Sequence, residues 1–165
     1  MKKIKLFDPF TNESEKNAIK RILDSHFWAS GGGGGGVQRF EEKFTKYTSS
    51  KSCVAVNSGT AALNLALSMC NIKNKEVIIP SLSFVSTANA VIENGGIPKF
   101  VDIDKNTLCM DPEKILKAIS KKTKVVLPVH FGGLTSNLGE ISKLCKENKI
   151  SLVEDAAHAA GSLHQ

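Results

Sequence analysis

Four short stretches of this chain gather side chains capable of chemistry, each where an apolar run gives way to small or polar residues. Residues 150–162, ISLVEDAAHAAGS, place two carboxylates, Glu154 and Asp155, directly after a strand-like run, and His158 follows three residues later. Ligands of open α/β sheets collect where strands end, so an acid at that point is placed to meet one. A carboxylate beside a ring nitrogen can hold that nitrogen protonated, which is what an electron-sink cofactor requires. The alternative is that Glu154 and Asp155 form ordinary ion pairs with the surplus lysines.

The second stretch is residues 57–62, NSGTAA. A strand end, a turn of small residues and the start of an alanine-rich helix leave free backbone N–H groups. With the Ser58 and Thr60 hydroxyls these would cradle an anion, and Gly59 would let the backbone come close. Simple capping of the helix by Ser58 or Thr60 explains the same residues. Neither a Walker loop nor the dinucleotide-binding glycine fingerprint is present. In residues 80–87, PSLSFVST, Phe84 either packs into the core or offers a flat ring at the sheet edge. In residues 127–133, LPVHFGG, His130 sits before two glycines, open to a ligand or satisfying a loop carbonyl. Asp102 and Asp104 have no further ligand beside them, and a strand-end turn accounts for them better than a metal site.

Such stretches need a scaffold that brings strand ends together. Apolar spacing predicts helices over residues 13–26, 57–69, 87–93 and 138–147, and Phe40, Phe44 and Tyr47 mark one face of another. Asp111 and Pro112 start a further helix as N-cap and first residue, with Ile115, Leu116 and Ile119 on its apolar side. Strands are expected over residues 53–56, 76–79, 99–103, 124–129 and 150–153, and Gly95-Gly96 should end the helix before them. This alternation predicts an α/β fold, a three-layer α/β/α arrangement with a mostly parallel sheet covered on both faces. Six consecutive glycines, residues 31–36, cannot hold a helix or strand interior. They read as a flexible hinge, or as a loop whose backbone must approach a ligand or a partner subunit. Residues 1–36 are therefore expected to form an arm, a helix and a glycine-rich loop, and residues 37–165 the main domain.

Composition narrows the function classes. The chain of 165 residues is long enough for one domain with a core, and its 41% hydrophobic and 23% charged residues are ordinary for a soluble protein. The net charge of +6 comes from lysines scattered along helix faces and loops. That is a solvated surface suited to anionic phosphates rather than a nucleic-acid face. No apolar run approaches the ~20 residues needed to span a bilayer. Asp8 and Pro9 interrupt the basic start, so no signal peptide is expected. Cys53, Cys70, Cys109 and Cys145 lie far apart without metal spacing and read as small core residues in a reducing compartment. The expected location is cytoplasmic, with no nucleic-acid or membrane partner.

Five segments together carry a resemblance. VNSGTAALNLAL (residues 56–67), VIIPSLSFVSTANAV (77–91), GGIPKFVDID (95–104), VVLPVHFGG (125–133) and LVEDAAHAAGS (152–162) resemble, in order and spacing, the DegT/DnrJ/EryC1/StrS family of sugar aminotransferases. These are pyridoxal 5'-phosphate enzymes on the fold-type-I aspartate aminotransferase scaffold, and the likeness runs from about residue 4 onward. The resemblance implies that Gly59 and Thr60 meet the cofactor phosphate and that Phe84 stacks on the pyridine ring. It implies that Asp155 hydrogen-bonds the pyridine nitrogen and that His158, where the family has glutamine or histidine, lies near the ring hydroxyl. For Thr60 and Phe84 it favours the ligand reading over the local one. The implied reaction moves an amino group from an amino acid, glutamate being the usual donor, to a nucleotide-linked keto sugar for polysaccharide biosynthesis. Active sites of the family lie at a homodimer interface, and residues 28–36 would help shape the substrate entrance. The family's Schiff-base lysine lies some tens of residues beyond the EDAAHA segment, and no lysine of this sequence stands at a matching position. The resemblance thus covers the family's N-terminal portion, with the large domain incomplete at its C-terminus and the 165-residue chain expected to be inactive alone. Two alternatives are the related sugar dehydratase branch, with histidine in place of that lysine, and a non-catalytic fragment with a partial cofactor cradle.

Overall fold

A strand covered on both faces needs an unbroken apolar run, and Val77, Ile78 and Ile79 are all fully buried in β1 (Glu76–Pro80). The computed structural model describes residues 8–28 and 35–163, which form two units dividing between Ala55 and Val56. In the second unit β1 pairs in parallel with β2 (Ile97–Val101) on one side and with β3 (Thr123–Val126) on the other. The last strand, β4 (Ser151–Leu152), adds in parallel to β3, giving the order β2-β1-β3-β4.

Successive strand residues feed opposite layers. Val77, Ile79, Val125 and Leu127 pack with Leu63 and Leu67 of α3 (Gly59–Ser68) and with Ala90 and Val91 of α4 (Val85–Glu93). On the other face Ile78 and Val126 meet Ile115 of α5 (Pro112–Ala118) and Ile141 and Cys145 of α6 (Leu138–Asn148). The expected three-layer α/β/α arrangement is what forms. Helix signals act where they were read. Asp111 accepts from the N–H of Glu113 at 2.9 Å with Pro112 inside the first turn. At the end of α4, Gly95 takes φ +72° and donates to the Ile92 carbonyl, and Gly96 donates to Val91, a complete Schellman closure. A side chain on Gly96 would meet Ile72 Cδ1 at 2.8 Å and Val91 Cγ1 at 2.9 Å, so that position needs glycine for packing.

Several expectations are corrected. Leu116 does not share the buried side of α5; it is 55% exposed while Ile115 is fully buried, because the helix presents only one apolar row to the sheet. No strand forms over residues 53–56. Val54 and Val56 are exposed, no described strand lies beside them, and the Ala55 N–H donates to the Glu41 carboxylate at 2.8 Å.

The first unit holds α1 (Glu13–Asp24) and α2 (Gly36–Thr48). Asn12 and Glu15 form a reciprocal capping box at the start of α1. The helix ends two residues earlier than its periodicity predicts, with His26 in the left-handed region at φ 54°. On α2 the Phe40 and Phe44 rings stack at 5.5 Å, confirming the helical face. Residues 31–34 of the glycine run lie outside the described residues, and Gly36 opens α2. Among the described residues no helix is long and apolar enough to cross a membrane.

Candidate active site

The chain leaves β1 to form β2 on one side, then crosses back to place β3 on the other. This is a topological switch point, where α/β sheets hold ligands beyond their C-terminal strand ends. Asp155 and the residues bonded to it lie there. The Asp155 backbone is clamped to the extension of β3: its N–H donates to the Pro128 carbonyl at 2.9 Å, and its carbonyl accepts from His130 at 3.2 Å. Its carboxylate is buried, at 8% exposure. One oxygen accepts the Ala157 N–H at 3.2 Å, and the other accepts the hydroxyl of Thr87, on the first turn of α4, at 3.0 Å. Thr87 is fully buried, and the Ser83 hydroxyl donates to it at 2.6 Å. Every donor on Asp155 is neutral, and among the described residues no lysine, arginine or histidine pairs with it. Among the described residues the ordinary lysine salt bridge is not formed at Asp155.

Phe84 lies at the mouth of the site. It is the N-cap of α4, a position where serine, threonine or asparagine would contribute about 1 kcal/mol and phenylalanine contributes no side-chain bond. Its ring is 73% exposed, which corrects the local core reading: a cap residue points away from the helix's buried row. A large exposed ring in place of a capping side chain departs from the usual preference at helix starts.

His158 is held from the neighbouring loop. Its Nδ1 accepts the Gly132 N–H at 3.2 Å, and its ring meets Phe131 edge-on at 5.8 Å. Gly133, at φ +87°, brings its backbone so close that an added Cβ would stand 3.0 Å from the His158 carbonyl. His130 plays a different part from either reading offered by its sequence. It is 3% exposed, its Nδ1 accepts the Ser136 N–H at 3.1 Å, and its Nε2 lies 3.0 Å from Glu154. An accepting Nδ1 places the proton on Nε2, so His130 donates to Glu154 and braces the loop. Asp104 makes the expected turn, accepting from the N–H groups of Asn106 and Thr107, and among the described residues no cluster could hold a metal.

Gly59 and Thr60 open α3, and no hydrogen bond joins them to the Asp155 network. Ser58 is the cap, accepting from Ala61 at 3.2 Å, so the choice between the two capping residues falls on Ser58. Among the described residues no acceptor is found for the N–H groups of Gly59 and Thr60, and a Cβ on Gly59 would meet nothing within 4 Å. A helix start with open backbone N–H groups, a buried carboxylate and an exposed ring thus occur in one α/β unit. Thr87 and Ser83 escaped assignment from sequence, because a threonine in a first helical turn reads as a local cap rather than as the partner of a residue 68 positions away.

This sheet, with its layers and switch-point site, has the architecture of the aspartate aminotransferase-like pyridoxal-phosphate enzymes. The chain belongs to the DegT/DnrJ/EryC1/StrS aminotransferase family, whose family model matches residues 9–165. It is 43% identical over 152 residues to the spore coat polysaccharide biosynthesis protein SpsC of Bacillus subtilis (strain 168), a match covering 92% of this chain and 38% of that protein. Among solved structures it is similar to 3-amino-5-hydroxybenzoic acid synthase, with 34% identity and a TM-score of 0.87 over 92% of this chain and 39% of that one. It is equally similar in fold to GDP-4-keto-6-deoxymannose-3-dehydratase, solved with a trapped PLP-glutamate geminal diamine. There the identity is 32% and the TM-score 0.87, over 96% of this chain and 42% of the other. The chain spans about two fifths of the length of these relatives.

Proposed function

We propose that this chain forms the cofactor-holding part of a pyridoxal-phosphate-dependent enzyme that transfers an amino group from an amino acid, glutamate by family habit, to a nucleotide-linked keto sugar. The observation that carries this reading is the buried Asp155 carboxylate, supplied with two neutral donors and, among the described residues, no cation. Burying a carboxylate without a counter-charge is costly, and a protonated pyridine nitrogen would supply the missing partner. The other parts fit the same group. The free N–H groups of Gly59 and Thr60 would take its phosphate, the exposed Phe84 ring would cover one face of the pyridine, and His158 would stand near its ring hydroxyl. When bound, the cofactor acts as an electron sink for bonds at the amino-bearing carbon. The protein's share is to keep the ring nitrogen protonated through Asp155, to anchor the phosphate, and to fix the ring plane. Action on a nucleotide sugar in polysaccharide biosynthesis is supported by the family and by the SpsC likeness, and function as a homodimer by family habit.

The equal likeness to the dehydratase supports one second reading, removal of a sugar hydroxyl on the same cofactor. The two are separated by incubating the protein with cofactor, isotope-labelled glutamate and nucleotide-linked keto sugars, and weighing the products. Labelled nitrogen in the sugar supports amination. A product lighter by one oxygen and free of label supports the dehydratase, and failure of the protein to bind the cofactor at all contradicts both.

A further inference from the structure

We infer that Thr87, backed by Ser83, is a positioning residue for Asp155: its hydroxyl fixes the rotamer and acceptor direction of the carboxylate. The inference rests on the cofactor reading given above for the ligand, but its geometry stands by itself. A carboxylate only accepts, so the one Thr87 proton is directed at Asp155 over 3.0 Å. The Thr87 oxygen is then free to accept, and the Ser83 proton fills it at 2.6 Å. The two hydroxyls form a chain with one direction, ending on Asp155.

Other roles for Thr87 do not account for this arrangement. A helix threonine commonly returns its hydroxyl to a carbonyl of the preceding turn, and a capping threonine accepts from the backbone. Thr87 does neither; its hydroxyl reaches from α4 to the strand-end loop after β4, across the mouth of the switch point. It is fully buried, so water does not compete for the bond. The second donor to Asp155, the Ala157 N–H, lies only two residues along the same loop and moves with it. Thr87 is therefore the contact that ties the carboxylate to a different element. Valine has nearly the same shape without the hydroxyl, and serine keeps the hydroxyl without the methyl group.

The test reads Asp155 with and without a ring beside it. In the cofactor-free chain, three-bond NMR couplings should report one Asp155 χ1 rotamer in the wild type and in Thr87→Ser, and averaging among rotamers in Thr87→Val. A single fixed rotamer in Thr87→Val overturns the proposal whatever the ligand. In the second arm the probe is pyridoxamine phosphate with an isotope-labelled ring nitrogen, which cannot form an imine with surface lysines. Thr87→Val should weaken its binding about tenfold, the factor expected for a hydrogen bond to a charged group. It should also lower the pH at which the ring nitrogen loses its proton, and Thr87→Ser should restore both. An unmoved ring titration in Thr87→Val overturns the proposal. If that variant does not fold, Ser83→Ala, at a half-buried site, should give the same changes at smaller amplitude, and no change in either arm overturns the proposal. Failure of the wild type to bind the probe would defeat the cofactor reading, while the rotamer arm still decides the role of Thr87.

Discussion

The two ends of the sheet each hold a carboxylate served by hydroxyl groups, and they differ in one respect. At the N-terminal end, Glu76 accepts from Ser120 at 2.6 Å and from Thr123 at 3.3 Å, and it pairs with Lys99 at 3.2 Å. At the C-terminal end, Asp155 accepts from Thr87 and the Ala157 N–H, and no cation among the described residues pairs with it. The Ser120 hydroxyl above all, then Lys99 and Thr123, hold Glu76 below the usual carboxylate range against the opposing effect of burial. The first cluster is complete within the protein and joins β1, β2 and β3 at their starts. The second has no positive charge among the described residues. Similar side chains thus serve structure at one end and, in the proposed reading, a ligand at the other.

Changes at the N-terminal end should cost stability and spare binding. Gly96→Ala, which pushes a methyl group against Ile72 and Val91, is expected to lower the unfolding free energy by about 2–3 kcal/mol in urea denaturation. Glu76→Gln should cost less, about 1–2 kcal/mol near neutral pH, because Lys99 is partly exposed and its charge partly screened. The pH dependence has a definite sign. A carboxylate whose folded pKa is depressed stabilises the fold above its unfolded value, about 4.3 for glutamate, and loses that contribution as the pH falls through the lowered folded value. The gap between wild type and Glu76→Gln should therefore close on acidification below that range; a gap that widens there would contradict the assignment. At the other end the effects should reverse. Phe84→Ala should weaken pyridoxamine phosphate binding by about 1 kcal/mol with no measurable loss of stability, since its ring is 73% exposed. Loss of stability with unaltered binding would make Phe84 a packing residue after all.

Most of the layered fold was legible because local signals agreed with one another. Gly95-Gly96, Asp111-Pro112 and the apolar runs of β1 and β3 each point to the element that forms. Residues 53–56 misled because a short apolar run shows strand propensity but does not show whether a neighbour exists to complete the ladder. Leu116 misled because a short helix at the flank of a sheet buries a narrower stripe than its apolar residues suggest. Within the site, Asp155 could be found from its place after an apolar strand. Local odds alone would have buried Phe84, and only the family likeness turned it outward. Thr87 could not be found, since nothing near it in sequence signals a partner on β4's far loop. The bracing of Glu154 by His130 was hidden for the same reason.

In the proposed reading Asp155 serves a cation that none of the described residues supplies. Asp155→Asn tests it in one paired measurement, unfolding free energy and pyridoxamine phosphate affinity on the same sample. Removing a buried charge that no cation among the described residues balances should leave stability within about 1 kcal/mol of wild type, or raise it, while affinity falls by about a hundredfold. A marked loss of stability with affinity unchanged would show that Asp155 completes the fold, as Glu76 does, and would contradict the account.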